Sequence, residues 1–478
     1  MNQLLAIVIS FACVFVVLWG VALLKKRGWG EEATRKLVHI LLSNWILLAI
    51  VLFTETWAVC VAPAGFVVLN YISYRRGIFS AIERTENNTP GTVWYAVSLL
   101  LLCWAGWSLA TPWIAACGIL SMGYGDGFAA LMGLRQNRHR FPVPLAHKSL
   151  EGTLTVAVLT ALAVGALCLV YAPSVALRAA LCCAAVAAAV ELYSLSGIDN
   201  LTLPLSVSFV AYLIVMFPAT HPYLDGLAIA LGVLLPAFYL EALTLSGMHC
   251  ATLLGAFLYA WGGPLIFGAL LLFFVFGSLV SKIGREQKRV PSSLHERQGP
   301  RSSVQVIANG LPALLFVAVH HFTGNQFFML AALASFSVAT ADTFSSEIGM
   351  LSTRTPVSIL TGKPVPKGIS GGVTPLGFLA ASLGSLVIAA TALFSFGWAG
   401  ALVVWLCGMA GSVLDSFMGA VFQAKYRLPC GGLTERPWAE GVPLPLAAGI
   451  SWMNNDVINF LSILLCGALA SALTGFSL

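Results

Sequence analysis

The chain is organised as a long succession of apolar runs, most of them about 17–25 residues long, which is the length that a helix needs to cross a bilayer. These runs account for most of the 478 residues, of which 59% are hydrophobic and only 9% are charged. So much apolar surface cannot be buried in a single soluble core, and the bilayer must therefore act as the solvent. We expect an all-α polytopic membrane protein with about sixteen transmembrane helices.

Basic residues mark every second loop between these runs. If the N-terminus lies outside, every Lys and Arg except Arg178 falls in a cytoplasmic loop or at the helix edges beside one. This distribution follows the positive-inside rule, so we expect a multi-pass protein of a bacterial inner membrane. The net charge of +6 is spread over short loops, which argues against a nucleic-acid partner. The first run is followed by its charges, so we interpret it as a retained span and not as a cleaved signal.

The stretch from Ser121 to Gly152 combines an acid at membrane level with a basic loop. Gly125-Asp126-Gly127 lies near the end of an apolar run, and Lys148-Ser149-Leu150-Glu151-Gly152 opens the next one. An acid inside a membrane helix is costly unless it has a function. A carboxylate can hold Mg²⁺, Lys can contact phosphate oxygens, and glycines let backbone N–H groups approach an anion. The alternative is an ordinary cytoplasmic loop, which would explain the basic residues but neither Asp126 nor Glu151.

Acidic residues recur near the cytoplasmic ends of the predicted helices. Carboxylates and cations at the same depth indicate a site for a cytosolic polyanion, although helix ends also tolerate charge. Such tolerance explains poorly those acids that lie one or two turns inside an apolar helix. The acids concerned are Asp126, Glu151, Glu191, Asp199, Asp342, Glu347, Asp415 and Asp456.

The two halves of the chain carry similar motifs in the same order. The segments Asp126–Gly133 and Asp342–Gly349 both read Asp, small, Phe, small, small, with Gly seven residues after the Asp. Upstream of each, three polar residues share one helix face at i, i+4 and i+8. They are Arg35, His39 and Ser43 in the first half and Arg301, Gln305 and Asn309 in the second. We therefore expect two similar membrane domains, 1–222 and 223–478, related as a parallel repeat.

These motifs resemble two known families. In the first half the motifs are Arg35-Lys36-Leu37-Val38-His39, Gly125-Asp126-Gly127, Lys148-Ser149-Leu150-Glu151-Gly152 and Glu191 followed by Gly197-Ile198-Asp199-Asn200. Over about residues 30–215 they resemble the phytol kinase/dolichol kinase family. In the second half the motifs are Gln305 to Gly310, Ala341 to Gly349, Val365 to Val373, Gly411 to Ser416, Gln423, Asn455-Asp456 and Asn459. Over about residues 240–478 they resemble the phytyl-phosphate kinase family.

The resemblance implies a fusion of two consecutive lipid kinases. The first half would phosphorylate a long-chain isoprenoid alcohol such as phytol, and the second half would convert the monophosphate into the diphosphate. The resemblance also implies a nucleoside triphosphate donor, with CTP favoured, and a place in tocopherol or prenylquinone synthesis. The carboxylates imply Mg²⁺ or Mn²⁺ as the cofactor.

The predicted site residues take roles that phosphoryl transfer requires, namely metal binding, charge neutralisation and alignment of the nucleophile. The catalytic candidates are Asp126, Lys148, His39, Glu151, Asp342, Asp415 and Lys367. The candidates for phosphate contact are Arg35, Lys36, Gly125, Gly127, Ser149, Gly152, Arg301, Lys363, Gly371 and Gly372. The candidate metal ligands are Asp126, Glu191, Asp199, Asp342, Glu347, Asp415 and Asp456. Asn200, Gln305, Asn309, Gln423, Asn455 and Asn459 would give polar support, or hydrogen-bond between helices in any membrane bundle.

Two choices stay open on the residues alone. His39 is either the base that deprotonates the alcohol or a hydrogen-bonded polar residue of the bundle. The whole chain could instead be a cytidylyltransferase that makes a CDP-lipid, or a transporter for an anionic solute. The transporter is less favoured, because the acids crowd one face of the membrane and transporter sites usually lie near the midplane.

Overall fold

A computed structural model describes residues 2–76, 90–136, 149–194, 197–284, 299–429, 432–439 and 442–475. The chain forms two compact units, Met1–Tyr239 and Leu240–Leu478, which we call the first and second units. The boundary between the two units lies one helix later in the chain than the predicted boundary between residues 222 and 223. The reason is that the helix that begins at His221 packs against earlier helices. Arg178, the cation that breaks the charge pattern, is ion-paired with Asp225 of that helix at 2.9 Å. The assignment of one activity to each unit stays a prediction.

The first unit is a bundle of helices around α6. Helix α6 packs against α2, α5, α7 and α9, and short 3₁₀ turns lead into α8 and α10. The helices are α1 (Gln3–Lys26), α2 (Glu31–Ser43), α3 (Trp45–Leu52), α4 (Thr56–Arg76), α5 (Gly91–Ser108), α6 (Pro112–Gln136), α7 (Leu150–Tyr171), α8 (Ala176–Tyr193), α9 (Asp199–Met216) and α10 (His221–Tyr239).

The second unit is a bundle around α13. Helix α13 packs against α11, α12, α14 and α15. The helices are α11 (Leu245–Lys282), α12 (Ser303–Thr323), α13 (Phe327–Gly349), α14 (Pro375–Val421) and α15 (Asn455–Gly475). Every residue of α13 from 330 to 341 is buried. Most of them are Ala, Ser or Thr, and such small residues let neighbouring membrane helices approach closely on all sides.

Short strands lie between the helices of the second unit. Strand β1 (Val357–Ser358) pairs with β2 (Gly372–Val373) in the segment between α13 and α14. Between α14 and α15 a three-stranded sheet has the order β4-β3-β7, and β5 pairs with β6. These strands are β3 (Lys425–Arg427), β4 (Leu433–Thr434), β5 (Trp438–Ala439), β6 (Val442–Pro443) and β7 (Leu446–Ala448). Helix α15 begins only after these strands, at Asn455.

Two helices of the second unit turn back on themselves at a single glycine. In α11 the glycine is Gly263, with φ 67° and ψ −171°. In α14 it is Gly397, with φ 62° and ψ −165°. These angles lie in a region that only glycine occupies readily. In each case the two arms run antiparallel: Arg301 contacts both Gly247 and Gly277 of α11, and the Ser385 hydroxyl of α14 donates to the Trp405 carbonyl at 2.7 Å.

Within the described residues, twelve helices are long and apolar enough to cross a membrane. They include α11 and α14, which have 38 and 47 residues and each consist of two arms. A shorter apolar helix, Lys36–Leu52, accompanies them. The prediction of an all-α polytopic membrane protein is confirmed, whereas the count of about sixteen spans and the parallel repeat stay predictions.

Candidate functional site

An ion pair joins α2 to α6 in the first unit. The Lys36 Nζ atom lies 2.6 Å from Asp126 Oδ2, and the two side chains are only 4% and 15% exposed. The same amino group also donates to the Asp126 carbonyl at 3.4 Å. The structure thus brings together an acid and a cation that the sequence assigned to one phosphate site.

Glycines of α6 make this ion pair possible. Gly123 packs against Ser43 of α2, and Gly127 packs against Ile40, one turn nearer the ion pair. A side chain at either position would collide with α2, so the two glycines act as the small residues of a close membrane-helix contact. Gly125 faces Val156 of α7. Because α6 continues to Gln136, Gly125 and Gly127 lie inside a helix and pack against neighbouring helices, and their contact with an anion stays a prediction.

His39 lies one turn beyond Lys36 on α2 and is 4% exposed. Its ring centroid is 4.8 Å from that of Tyr95 of α5, with the planes tilted by 51°. The Tyr95 hydroxyl is buried and has no hydrogen-bond partner within the described part of the chain. A buried hydroxyl of this kind costs free energy unless another group reaches it. Tyr95 could not be singled out from the sequence, because an aromatic residue in an apolar helix carries no distinct signal.

The acids of α8 and α9 lie at the same end of the bundle as Asp126. Helices α6 and α9 run antiparallel, since Ser208 contacts Ile114 and Gly118 whereas Pro204, one turn earlier on α9, contacts Gly118. Asp126 lies eight residues after Gly118 and Asn200 eight before Ser208, which places both at one level. Glu191 and Asp199 lie at the same end of the bundle. Ser194 follows Glu191 by three residues and Thr202 follows Asp199 by three, and the hydroxyl groups of Ser194 and Thr202 share a hydrogen bond of 2.8 Å.

Several predicted residues of the first unit have local roles or lie outside the described residues. The Ser149 hydroxyl caps α7 by accepting a hydrogen bond from the Gly152 N–H group at 3.1 Å. Glu151 follows in the first turn of α7. The Asn200 amide donates to the Gly91 carbonyl at 2.9 Å and so joins α9 to α5. Lys148 and the side chain of Arg35 lie outside the described part of the structure.

Asp415 is the centre of a polar cluster in the second unit. Its Oδ2 atom accepts a hydrogen bond from the Ser462 hydroxyl at 3.1 Å. It also accepts one from Asn459 at 2.9 Å when the Asn459 amide is oriented with its NH₂ group towards Asp415, the orientation that satisfies both ends of that amide. Both donors belong to α15. Asn455 lies one turn before Asn459 on this helix, and Asp456 lies in its first turn. The sequence predicted Asp415 and Asn459 but missed Ser462, because serine is common in membrane helices.

Asp342 lies at the level of this cluster. Val338 of α13 packs against Gly411 of α14. Asp342 follows Val338 by four residues, as Asp415 follows Gly411, so these two carboxylates occupy matching turns. Near them lies a cavity of about 110 Å³, between the end of α13 and the two arms of α14. Its lining combines hydroxyl groups with apolar side chains: Ser345, Ile359, Val373, Thr374, Phe378, Ala381, Met409, Ser412, Val413 and Ser416.

Arg301 and Glu347 lie along another side of α13. The Arg301 guanidinium is 5.3 Å from the ring centroid of Phe273 and lies near Gly277 and Thr343. Glu347, one turn after Thr343, accepts a hydrogen bond from the Ser281 hydroxyl at 3.0 Å. Glu347 therefore contacts α11, and its role as a metal ligand stays a prediction.

The predicted cations of the segment between α13 and α14 are exposed. Lys367 donates to the Ser352 carbonyl at 2.6 Å and to the Met350 carbonyl at 3.4 Å. It thus satisfies carbonyl groups at the C-terminal end of α13, which is a favourable position for a cation. Lys363 is also exposed. Gly371 has φ 88° and packs against Ala420 of α14, so the glycine-rich segment Lys367–Gly372 lies on the end of that helix.

The remaining polar candidates are structural. Gln305 accepts a hydrogen bond from the Ser302 N–H group at 3.0 Å, completing a capping box at the start of α12. The Asn309 amide donates to the Gln305 carbonyl at 2.8 Å. Gln423 is 2% exposed and packs near Gly419 and Gly449.

No preformed metal cage is present in the described part of the chain. Within it, no three His, Cys, Asp or Glu side chains are grouped in a way that could hold a metal ion. Mg²⁺ typically uses only one or two carboxylates and completes its shell with water and substrate phosphates. The matching turns of Asp342 and Asp415 fit that mode, and the two donors of α15 fix the orientation of the Asp415 carboxylate.

The chain matches the model of the integral membrane protein DUF92 over residues 228–467. It belongs to this family. It is 39% identical to the phytol kinase of Synechocystis sp. over 184 residues, which are 38% of this chain and 78% of that protein. It is 33% identical to Protein PGR of Arabidopsis thaliana over 236 residues, 43% and 80% of the two chains. It is 28% identical to Protein VTE6, chloroplastic, of Arabidopsis thaliana over 243 residues, 49% and 66% of the two chains. No solved structure matches this DUF92 protein.

Proposed function

We propose that this DUF92 protein is a bifunctional isoprenoid lipid kinase of the membrane. The first unit phosphorylates a phytol-like alcohol, and the second unit phosphorylates the resulting monophosphate. The observation that carries the proposal is that each unit gathers aspartate and polar side chains at one end of an apolar helix bundle. The similarity to a protein named phytol kinase supports the kinase class and the isoprenoid substrate.

In the first unit the Lys36–Asp126 pair supplies the charges for transfer to an alcohol. Asp126 would hold the metal, and Lys36 would contact a phosphate of the nucleotide. His39, buried one turn deeper, is the candidate that takes the proton of the alcohol, since an alcohol loses a proton when it attacks phosphorus. The prenyl tail stays in the lipid, and its hydroxyl group reaches this end of the bundle.

In the second unit the acceptor is already an anion and needs no comparable base. Asp342 and Asp415 would hold Mg²⁺ or Mn²⁺ together with the nucleotide phosphates. The metal, when bound, neutralises the charge that develops on the transferred phosphoryl group. The cavity beside Asp415 suits the head of an amphiphile, since hydroxyl groups line it together with apolar side chains such as Phe378 and Met409.

The donor and the orientation are part of the proposal. CTP is the favoured donor, and both sites open to the cytoplasm, where nucleotides are available and where the basic loops are predicted to lie. The fusion is supported by the DUF92 match to the second half of the chain and by the phytol kinase relative. The same substrates would also serve a cytidylyltransferase, so the product decides between the two activities.

The test is a product assay with purified protein in lipid nanodiscs. Labelled CTP, Mg²⁺ and phytol should give phytyl monophosphate and then the diphosphate, with CDP released. Asp126→Asn should stop the first step and leave the conversion of supplied phytyl phosphate intact, and Asp342→Asn should do the reverse. A CDP-lipid with pyrophosphate would identify a cytidylyltransferase, and loss of both steps in both folded variants would contradict the two-site proposal.

A further inference from the structure

A carboxylate from the strand region between α14 and α15 binds a backbone N–H group of the glycine-rich segment Lys367–Gly372. The Ser370 N–H group donates to Glu435 Oε1 at 2.9 Å. Glu435 follows β4, so the contact joins the sheet between α14 and α15 to the segment Lys367–Gly372. A backbone N–H group that binds a carboxylate oxygen can equally bind a phosphate oxygen, because both are anionic acceptors.

A cation accompanies this contact. Lys425 of β3 is half-buried, and its amino group donates to the Ala420 carbonyl at the end of α14 at 3.0 Å. Burial lowers the pKa of Lys425, and the nearby Glu435 carboxylate raises it in partial compensation. Lys425, Glu435 and the Ser370 N–H group thus form one charged cluster.

The cluster lies close to the proposed transfer site. Ser370 packs against Gly419 of α14, and Asp415 lies one turn before Gly419 on the same helix face. An anion that replaced the Glu435 carboxylate would therefore lie within about a helical turn of the Asp415 carboxylate. A substrate that carries several phosphate groups could bridge the two positions.

We propose that the Ser370 N–H group and Lys425 form a phosphate subsite, and that Glu435 is a built-in competitor which a substrate phosphate displaces. The subsite rests on the proposed function only for the identity of its natural ligand, a phosphate of the nucleotide or of the prenyl monophosphate. Displacement frees Glu435 and loosens the link between the sheet and the glycine-rich segment.

The proposal predicts the sign of a single substitution. Glu435→Gln keeps an oxygen that can accept from Ser370 but removes the competing charge. The purified full chain, without acceptor or nucleotide, is titrated with labelled inorganic pyrophosphate by equilibrium dialysis. We expect Glu435→Gln to bind pyrophosphate about tenfold more tightly than the wild type, and Lys425→Gln to bind it about tenfold more weakly. Glu55→Gln, an exposed carboxylate change in the first unit, is the matched control and should leave the affinity unchanged.

Competition identifies the source of the phosphate. CTP alone and phytyl phosphate alone are each tested for displacement of labelled pyrophosphate from the Glu435→Gln protein, and either displacement supports the subsite. Unchanged or weaker pyrophosphate binding by a Glu435→Gln variant with wild-type thermal stability would overturn the proposal. The binding assay does not depend on turnover. If Glu435→Gln binds pyrophosphate more tightly but the protein has no kinase activity, only the proposed function is refuted. If the protein is an active kinase but Glu435→Gln leaves pyrophosphate binding unaltered, only the role of Glu435 as a competitor is refuted.

Discussion

The Lys36–Asp126 ion pair allows a quantitative test of how well the first unit excludes water from these two charges. With an effective dielectric constant of about 20, two charges 2.6 Å apart attract each other by about 6 kcal/mol. Desolvation of both groups offsets much of this attraction, so the pair itself adds little net stability. Removing one partner is different, because it leaves the other charge buried without compensation.

Lys36→Met should therefore lower the free energy of unfolding by about 3–5 kcal/mol. The double variant Lys36→Met/Asp126→Leu should recover most of this loss, because it removes both charges and fills the space with apolar atoms. Lys282→Met, a change at the exposed end of α11, is the control and should alter stability by less than about 0.5 kcal/mol. Unfolding is followed by tryptophan fluorescence as a denaturing detergent replaces the native one.

The double-variant cycle separates stability from activity. We expect both Lys36 variants to lose phytol phosphorylation, although the double variant is nearly as stable as the wild type. If Lys36→Met costs less than about 1 kcal/mol, water reaches Asp126 in the folded protein and the reasoning from burial is refuted.

Three further predictions concern the second unit. Gly263→Ala should lower the free energy of unfolding by about 1–3 kcal/mol through backbone strain alone. Gly268→Ala is the control in the same unfolding assay: it lies in the same helix with open space around it and should be neutral or stabilising. Ser462→Ala removes one donor to Asp415 and should slow diphosphate formation about tenfold without changing monophosphate formation. An equal loss of both steps would contradict the assignment of Asp415 to the second step. The lowered pKa of Lys425 means that the unfolded state binds more protons, so stability should rise with pH between the folded pKa and about 10.4. Thermal melts of wild type and Lys425→Met across that range check this, since the variant should lack the rise.

Much of the fold could be predicted because membrane spans follow from run length and loop charge. The turns at Gly263 and Gly397 fall where the sequence divides into the predicted spans 250–262 and 264–282, and 372–394 and 398–421. The sequence does not show how sharp they are, because a chain reversal at a single glycine leaves no polar loop between two apolar runs. The strand region between α14 and α15 was also missed. Its strands are only two or three residues long, and they mix charged, apolar and small residues, so they are too short to show a strand period.

The candidate site was predictable in its charges but not in its geometry. Asp126 could be recognised as a costly acid in an apolar run and Lys36 as a candidate phosphate contact, and the structure pairs them. Gly127 could not be assigned from sequence, because a glycine that binds an anion and a glycine that packs against Ile40 look the same. Glu435 was missed for a related reason: it lies in a polar segment, and only its contact with Ser370 distinguishes it from a solvated acid.

The difference between the two units is chemically consistent with two acceptors. His39 of the first unit aligns in sequence with Gln305 of the second. In the structure the Gln305 side chain is committed to capping α12 through the Ser302 N–H group, so it cannot act as a base. The second unit instead surrounds Asp415 with neutral donors, Ser462 and Asn459. A phosphate monoester attacks without losing a proton to the protein, whereas an alcohol must lose one, and in the aligned positions only the first unit has a group that can accept it.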